Sequence, residues 1–293
     1  MKVLITGANG FLGQHLTIYL QQQGFNVVST NRGLNRNKLL NELQYESLDL
    51  TNEADVMNAL QKHQPNIIVH TAAMSKPDEC ENDKAACILH NVIATKFIAE
   101  AANIIGAKLI YISTDFIFGE DGPHAVDAMP EPLNFYGESK LQAEEYVKAN
   151  SKEYAIVRPV FIYGKVLEGM RPSFLHWVKN NLEQNKPIKV VNDQRRTPTY
   201  VIDICKGIEA IINQKQQGAF HLAGKDIVSP YQMALAVCKQ LQLNDELITP
   251  VNSATFPEPV KRAQRSGLKI DHSTDVLGYA PTDFSTGIIL SFS

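Results

Sequence analysis

The chain has 293 residues, of which 44% are hydrophobic and 20% charged, and its formal net charge is −3. This composition is typical of a globular protein with a sizeable core, and the balance of charge excludes the basic surface expected for nucleic acid or an anionic membrane. No apolar run approaches the ~20 residues that cross a bilayer, and the first residues lead directly into a predicted strand. The four cysteines form no CxxC pair, and the histidines show no metal-ligand spacing. We therefore expect a cytoplasmic protein with reduced cysteines, no metal, and neither nucleic acid nor membrane as a partner.

The first thirteen residues carry a glycine-rich motif. The run Lys2–Thr6 has the composition of a buried parallel strand, and Gly7, Gly10 and Gly13 follow it before a predicted helix over 11–23. A glycine turn between a strand and a helix leaves backbone N–H groups and the positive end of the helix dipole facing one point, which suits a pyrophosphate. The motif therefore predicts a dinucleotide site rather than an ordinary tight turn.

The second predicted strand, 26–30, ends where a dinucleotide-binding fold contacts the adenosine ribose. An acid at this point bonds a free 2′-hydroxyl, whereas an arginine suits the 2′-phosphate of NADP. The chain has Asn31 and Arg32 there and no carboxylate nearby. Because a guanidinium forms forked bonds with phosphate, we predict NADP, with NAD as the alternative cofactor and a solvated loop arginine as the alternative role for Arg32.

Strands and helices alternate through the first half of the chain. Further strands are predicted at 44–48, 66–71, 107–113 and 154–158, and helices at 53–62, 84–105 and 135–149. The alternation predicts an α/β fold, a Rossmann-type doubly wound parallel sheet with a smaller C-terminal substrate lobe.

The alternation is less regular beyond residue 164. Helices are predicted at about 173–183, 201–213 and 229–241, with one strand at 219–222 and an irregular tail. We predict an NADP-binding domain over 1–164, to which 195–222 returns, and a mainly substrate-binding lobe over 165–293, placed where ligands of open α/β sheets bind.

A tyrosine and a lysine are the best candidates for catalysis. Tyr136 and Lys140 lie one turn apart on one face of the predicted helix, and Thr114 follows the neighbouring strand. A tyrosine has a pKa of about 10, and a nearby ammonium together with a nicotinamide cation lowers that pKa by favouring the phenolate. Thr114 would hold a substrate oxygen against the phenol. A YxxxK match is common by chance, and a surface helix with a packed tyrosine is the alternative; the glycine turn upstream favours catalysis.

Seven segments occur in the order found in extended short-chain dehydrogenase/reductases. They are TGANGFLG at 6–13, DL at 49–50, HTAA at 70–73, NV at 91–92, ISTDFIFG at 112–119, YGESK at 136–140 and RPVFIYG at 158–164. Within that group, STDFIF, PEPLNFYGESK and RRTPTYVID make the chain resemble the dTDP-4-dehydrorhamnose reductases, which use NADPH to reduce the 4-keto group of a nucleotide-linked deoxysugar. The chain departs from them at Phe161, where they commonly carry a tryptophan, and in its loop after the fourth strand.

The resemblance implies a role for each matching residue. The catalytic triad would be Tyr136 as proton donor, Lys140 on the nicotinamide ribose, and Thr114. The cofactor would lie along Gly7, Asn9, Gly10, Phe11, Leu12, Gly13, Asn31, Arg32, Asp49, Leu50, Ala72, Ala73, Asn91, Tyr136 and Lys140. The substrate would contact Met74, Asp115, Phe161, Arg195 and Arg196, although two arginines in a polar loop are as often simply solvated.

Three functions are consistent with these observations. The first is an NADPH-dependent reductase of a nucleotide-linked 4-keto-sugar. The second is a sugar-nucleotide epimerase or dehydratase that recycles its cofactor, which the absence of an acid at Asn31 disfavours. The third is a non-catalytic NADP-binding regulatory subunit, like that of methionine adenosyltransferase, which we rank last because the triad is present. The resemblance also implies a homodimer formed through the helices at 84–105 and 135–149.

Overall fold

The computed structural model describes residues 1–37, 44–170, 172–256 and 259–293. Its centre is one sheet made of β1 (Lys2–Thr6), β2 (Asn26–Asn31), β3 (Tyr45–Ser47), β4 (Ile67–His70), β5 (Lys108–Ile112), β6 (Tyr154–Arg158) and β10 (Gly218–His221). The strands lie in the order β3-β2-β1-β4-β5-β6-β10, and all neighbours are parallel. The predicted Rossmann-type α/β fold is confirmed.

Helices cover both faces of this sheet because alternate strand residues point to opposite sides. On one face, α1 (Phe11–Gln22), α8 (Val201–Asn213) and α10 (Asp271–Leu277) pack on residues such as Val3, Ile5 and Val69. On the other, α2 (Glu53–His63), α5 (Ala94–Ile105) and α6 (Phe135–Asn150) pack on the intervening residues, such as Leu4 and Ile68. The carboxyl ends of the strands remain uncovered, and the site lies there.

The helix predicted at 84–105 is observed as three consecutive segments. They are α4 (Lys84–Cys87), a π-helical stretch at Ile88–Ile93, and α5; the shorter α3 (Pro77–Asn82) precedes them. Lys84–Ile105 is long and apolar enough to cross a membrane by length and composition, with a mean hydropathy of 1.3. This corrects our expectation that the chain has no apolar run of that length. Half of this apolar stretch is buried, as in the core helix of a globular protein.

The C-terminal part of the chain forms a second, smaller core. β8 (Ile188–Val191) pairs in parallel with β11 (Ile248–Val251), and α7 (Phe174–Glu183), α9 (Pro230–Leu241) and α11 (Phe284–Phe292) pack around them. A further parallel pair, β7 (Ile162–Tyr163) with β9 (Thr199–Tyr200), lies between this lobe and the main sheet. Neither pair was predicted, nor were the helices of the C-terminal tail.

Candidate active site

The glycine turn after β1 brings three parts of the chain into close contact. Gly7 has a φ of +69°, and a Cβ there would lie 2.6 Å from the backbone nitrogen of Ala72 at the end of β4. A Cβ at Gly13 would overlap the carbonyl of Gly7. Gly10 is the N-cap of α1 and offers no side-chain cap, so the first N–H groups of the helix stay available to an anion.

A cavity of about 480 Å³, which we call the catalytic cavity, lies over this turn and over the carboxyl ends of β4, β5 and β6. It brings together thirteen of the predicted residues: Gly7, Gly10, Phe11, Leu12, Gly13, Asn31, Ala72, Ala73, Thr114, Asp115, Tyr136, Lys140 and Phe161. The predicted triad and the glycine turn therefore share one crevice.

A second cavity of about 570 Å³, the adenosine-side cavity, shares Gly7, Gly10, Asn31, Ala72 and Ala73 with the first. It adds five more predicted residues, namely Asn9, Arg32, Asp49, Leu50 and Met74. Met74, predicted to touch the substrate, thus lies on the adenosine side of the crevice. The Asp49 carboxylate accepts hydrogen bonds from the backbone N–H (3.0 Å) and hydroxyl (2.7 Å) of Thr51, which lower its pKa.

Arg36 also lines the adenosine-side cavity, and the sequence analysis missed it. The loop after β2 folds back over the glycine turn, where Asn9 bonds it at two points. The Arg36 N–H donates to Asn9 Oδ1 at 2.9 Å, and Asn9 Nδ2 donates to the Leu34 carbonyl at 2.9 Å. The Tyr45 hydroxyl adds a 2.7 Å hydrogen bond to the Gly33 carbonyl. Two arginines, Arg32 and Arg36, therefore line one cavity.

The Tyr136 phenol is buried and hydrogen-bonded to Thr114. The Thr114 hydroxyl also donates to Asp115 Oδ1 at 3.1 Å and accepts from the Phe116 N–H at 3.2 Å. The Phe116 ring packs edge-on against the phenol, with 5.4 Å between the ring centroids. Thr114 thus links the phenol to the backbone of the segment that follows β5.

Burial raises the pKa of Tyr136, and the Thr114 hydrogen bond opposes this while the Asp115 charge adds to it. The direction is opposite to the lowering that we predicted from Lys140. The phenol therefore keeps its proton at neutral pH, which suits a group that donates a proton to a ketone.

Lys140 lies beneath the catalytic cavity and is almost fully buried. Its Nζ donates to the Ile112 carbonyl at 2.7 Å and lies 4.2 Å from the centroid of the Tyr111 ring. Burial lowers the pKa of Lys140 to about 7, against an opposing effect of Glu144. The ammonium is therefore held by a carbonyl and an aromatic ring, groups that carry no full charge.

Asn91, predicted to contact the cofactor, lines neither cavity and is bonded to the loop that follows β4. Its Oδ1 accepts from the Met74 N–H at 2.8 Å, and its Nδ2 donates to the Met74 carbonyl at 3.1 Å and to Ser139 Oγ at 3.0 Å. The π-helical stretch thus ties the loop after β4 to α6.

Phe161 lines the catalytic cavity, and Arg196 lies behind its ring with Asp115. Phe161 has a φ of +34°, an unusual conformation for a residue with a side chain, and its ring packs edge-on against Phe174. The Arg196 guanidinium lies 5.8 Å from the centroid of the Phe161 ring. Burial raises the pKa of Asp115, and the Arg196 charge opposes that shift.

Arg195 is placed differently from its predicted role. Its guanidinium donates to the carbonyls of Asn192 (2.6 Å) and Gln194 (3.1 Å) in its own loop, and it lines neither cavity. Arg262, a residue of the tail, instead lies with Arg196 beside Asp115 and pairs with both carboxylate oxygens of Asp78 at 3.1 Å. This pair joins the C-terminal tail to α3.

The sequence model of one protein family matches almost the whole chain. The family is described as the RmlD substrate binding domain, and the match covers residues 1–292. The chain belongs to this family. Its extended short-chain dehydrogenase/reductase fold and its likeness to dTDP-4-dehydrorhamnose reductases, both predicted from the motifs, are confirmed.

Solved structures and curated relatives of this RmlD-family chain agree on the fold. The dTDP-4-dehydrorhamnose reductase of Bacillus anthracis, in complex with NADP, is 29% identical with a TM-score of 0.87, over 99% of this chain and 98% of that one. The corresponding protein from Clostridium acetobutylicum is 28% identical with a TM-score of 0.88, over 100% and 98%. Methionine adenosyltransferase 2 subunit beta of the mouse is 32% identical over an alignment of 297 positions, which covers 98% of this chain and 86% of the relative.

Proposed function

We propose that this RmlD-family chain is an NADPH-dependent reductase of a nucleotide-linked 4-keto-sugar. The observation that carries the proposal is a protonated phenol, Tyr136, hydrogen-bonded to Thr114 beside Lys140, in a cavity that opens onto the glycine turn. The family and the NADP-bound reductase of Bacillus anthracis support it.

The residues of the crevice fit a nicotinamide dinucleotide along its whole length. The close approaches at Gly7 and Gly13 leave no room for side chains where a pyrophosphate would lie on the N-terminus of α1. Arg32 and Arg36 line the adenosine-side cavity, which has Asn31 where an NAD-binding site places an acid, and this favours the 2′-phosphate of NADP. When bound, NADPH supplies the hydride.

The protein supplies the proton and the alignment. Tyr136 donates its proton to the 4-keto oxygen as that oxygen gains negative charge, and Thr114 holds the same oxygen in place. The Lys140 ammonium binds the nicotinamide ribose and stabilises the phenolate that remains. Phe161 lines the catalytic cavity and the Arg196 guanidinium lies beside its ring, and we place the sugar and the nucleotide diphosphate on this side.

The test is NADPH oxidation on addition of dTDP-4-dehydro-6-deoxy-L-mannose. We expect stoichiometric oxidation, and a loss of ~10²–10⁴-fold in kcat for Tyr136→Phe with NADPH affinity unchanged. Tyr146→Phe is the matched control, since Tyr146 lies on the same helix but bonds Glu100 at its surface. If a panel of keto-sugar nucleotides gave no turnover with protein that binds NADPH normally, the reductase proposal would be abandoned.

A second candidate function is regulation of a methionine adenosyltransferase. It is favoured by the identity of 32% to the beta subunit of the mouse enzyme over nearly the whole chain. If the chain acts in this way, it binds a methionine adenosyltransferase catalytic subunit and changes its rate, and Tyr136→Phe leaves that effect intact. If Tyr136→Phe still folds but no longer performs the function of the natural protein in the cell, that loss would favour the reductase. The homodimer and the cytoplasmic location stay predictions.

A further inference from the structure

A buried ion pair lies one helical turn beyond Lys140. Glu144 is fully buried, and its Oε2 accepts from Arg158 Nε at 3.1 Å while its Oε1 accepts from Arg158 Nη2. The more exposed Lys148 completes the arrangement, with its Nζ 2.7 Å from Oε1. The mechanism proposed above uses none of these three side chains.

Arg158 is itself fixed on every side. Its Nη1 donates to the Val126 carbonyl at 2.9 Å and to His221 Nε2 at 3.2 Å, while His221 Nδ1 donates to the Lys269 carbonyl at 3.0 Å. Burial lowers the pKa of His221 to about 4, so this imidazole is neutral and accepts the proton of Arg158. The guanidinium also lies 5.3 Å from the centroid of the Phe118 ring. Glu144 is thus held in one position and kept ionised, since Arg158 lowers its pKa against the effect of burial.

The charge state of Lys140 depends on its burial and on the charged groups around it. The titratable groups around it are His70, Cys80, Cys87, Tyr111, Tyr136 and Glu144. Burial dominates its pKa, and among the charges that oppose burial the Glu144 carboxylate acts most strongly. With a pKa of about 7, Lys140 is half protonated at neutral pH. A further fall of one unit would leave only about a tenth of it protonated.

We propose that Glu144 is a positioning residue of this site, whose carboxylate, fixed by Arg158, maintains Lys140 as an ammonium. The inference rests on the placement of the cofactor in the proposed function but does not require turnover. NADPH carries several negative charges, so an ammonium at Lys140 strengthens its binding, and affinity falls as that ammonium loses its proton.

The experiment is to measure the Kd of the full chain for NADPH from about pH 5.5 to 9. In the natural protein we expect affinity to begin to fall near pH 7, and this fall to be absent in Lys140→Met. Glu144→Gln should move the onset lower by about one pH unit, because unit charges one helical turn apart interact by that order. The matched control is Lys148→Met, which removes a partner of Glu144 but leaves the pair with Arg158; it should produce no downward shift.

The outcome separates positioning from a purely structural role. If Glu144 had only a structural role, Glu144→Gln would weaken NADPH binding equally at all pH values, and the pH at which affinity begins to fall would not change. That result in a folded Glu144→Gln protein would overturn the proposal. If Glu144→Gln does not fold, the double variant Glu144→Gln/Arg158→Met removes both charges. Its onset should lie below that of the natural protein by less than one pH unit, and an unshifted onset again overturns the proposal. If the pH onset shifts but no keto-sugar is reduced, only the reductase proposal fails. If a keto-sugar is reduced but the onset does not shift, only the proposed role of Glu144 fails.

Discussion

Tyr136 and Lys140 show how one physical effect prepares two groups for different tasks. Burial disfavours the charged form of each, so it raises the pKa of the phenol and lowers that of the ammonium to about 7. The phenol therefore keeps its proton at neutral pH, as the proposed role of proton donor requires. The lysine is held near the point of losing its charge, where a carboxylate one turn away has a large effect.

The proposed preference for NADPH depends on single residues of the adenosine-side cavity. Arg32 and Arg36 line the same cavity, and each guanidinium can bond a 2′-phosphate. We expect Arg32→Ser and Arg36→Ser each to raise the Kd for NADPH by ~10–100-fold, the value of one or two charge-assisted hydrogen bonds. The Kd for NADH should change little, because NADH has no 2′-phosphate. Fluorescence titration with both cofactors measures this.

Arg195→Ser is the control for these variants, because Arg195 bonds its own loop and lines neither cavity. It should bind both cofactors as the natural protein does. An equal loss of NADH and NADPH affinity in Arg32→Ser would show that the arginine supports the loop and does not select the cofactor.

The two arginines also show what the sequence could predict at this scale. Arg32 was predicted because it follows β2 directly, so local spacing places it. Arg36 was not, because its position depends on the hydrogen bond that its N–H donates to Asn9, 27 residues earlier in the chain, and on the bond from the Tyr45 hydroxyl to the Gly33 carbonyl. The sequence likewise predicted the same role for Arg195 and Arg196. In the folded loop, however, the Arg196 guanidinium lies over Phe161, whereas the Arg195 guanidinium bonds the backbone of its own loop.

At the scale of elements, the approach of α6 to the segment after β5 places the phenol against Thr114. Gly137 makes this approach possible, since a Cβ there would overlap the Phe116 carbonyl. Asn134 caps the helix by accepting from the Gly137 N–H at 3.1 Å, which fixes where its first turn begins. The glycine that follows the tyrosine is therefore part of the site.

We expect Gly137→Ala to displace the first turn of α6 from Thr114. Overpacking of this kind costs about 1–3 kcal/mol of stability, and a misplacement near 1 Å can cost ~10²-fold in rate. Thermal unfolding and kcat measured on one preparation test both effects. Glu138→Ala, at the exposed next position, should leave both nearly unchanged. Full activity in Gly137→Ala would show that the helix can shift without cost.

Elements with a strong local pattern were predictable, and those that depend on distant pairing were not. β1, β4, β5 and β6 are continuous apolar runs between helices, so their period and length identify them. β8 and β11 have four residues each and pair across about 60 residues of chain. Lys189 is exposed in β8, and the consecutive Thr249 and Pro250 are exposed in β11. Their stability comes from packing against α9, which a local pattern does not contain.

At the scale of the whole molecule, the two parts of the chain are interleaved. β10 extends the main sheet beside β6, although its sequence lies between two stretches of the lobe. α8 packs on α1, and the Tyr19 hydroxyl on α1 donates to Glu209 of α8 at 2.6 Å. The pair of Arg262 with Asp78 adds a further link across the crevice. Separation of the lobe would therefore expose the edge and one face of the sheet.

This interleaving predicts that the chain unfolds in a single transition. The cofactor binds the folded chain alone, so NADPH at 100 times its Kd stabilises that state by about 2.7 kcal/mol and raises the Tm by about 5 °C. Calorimetry should show one peak that moves as a whole, with its calorimetric and van't Hoff enthalpies equal. If calorimetry shows two peaks and NADPH moves only one of them, the lobe folds independently of the main sheet.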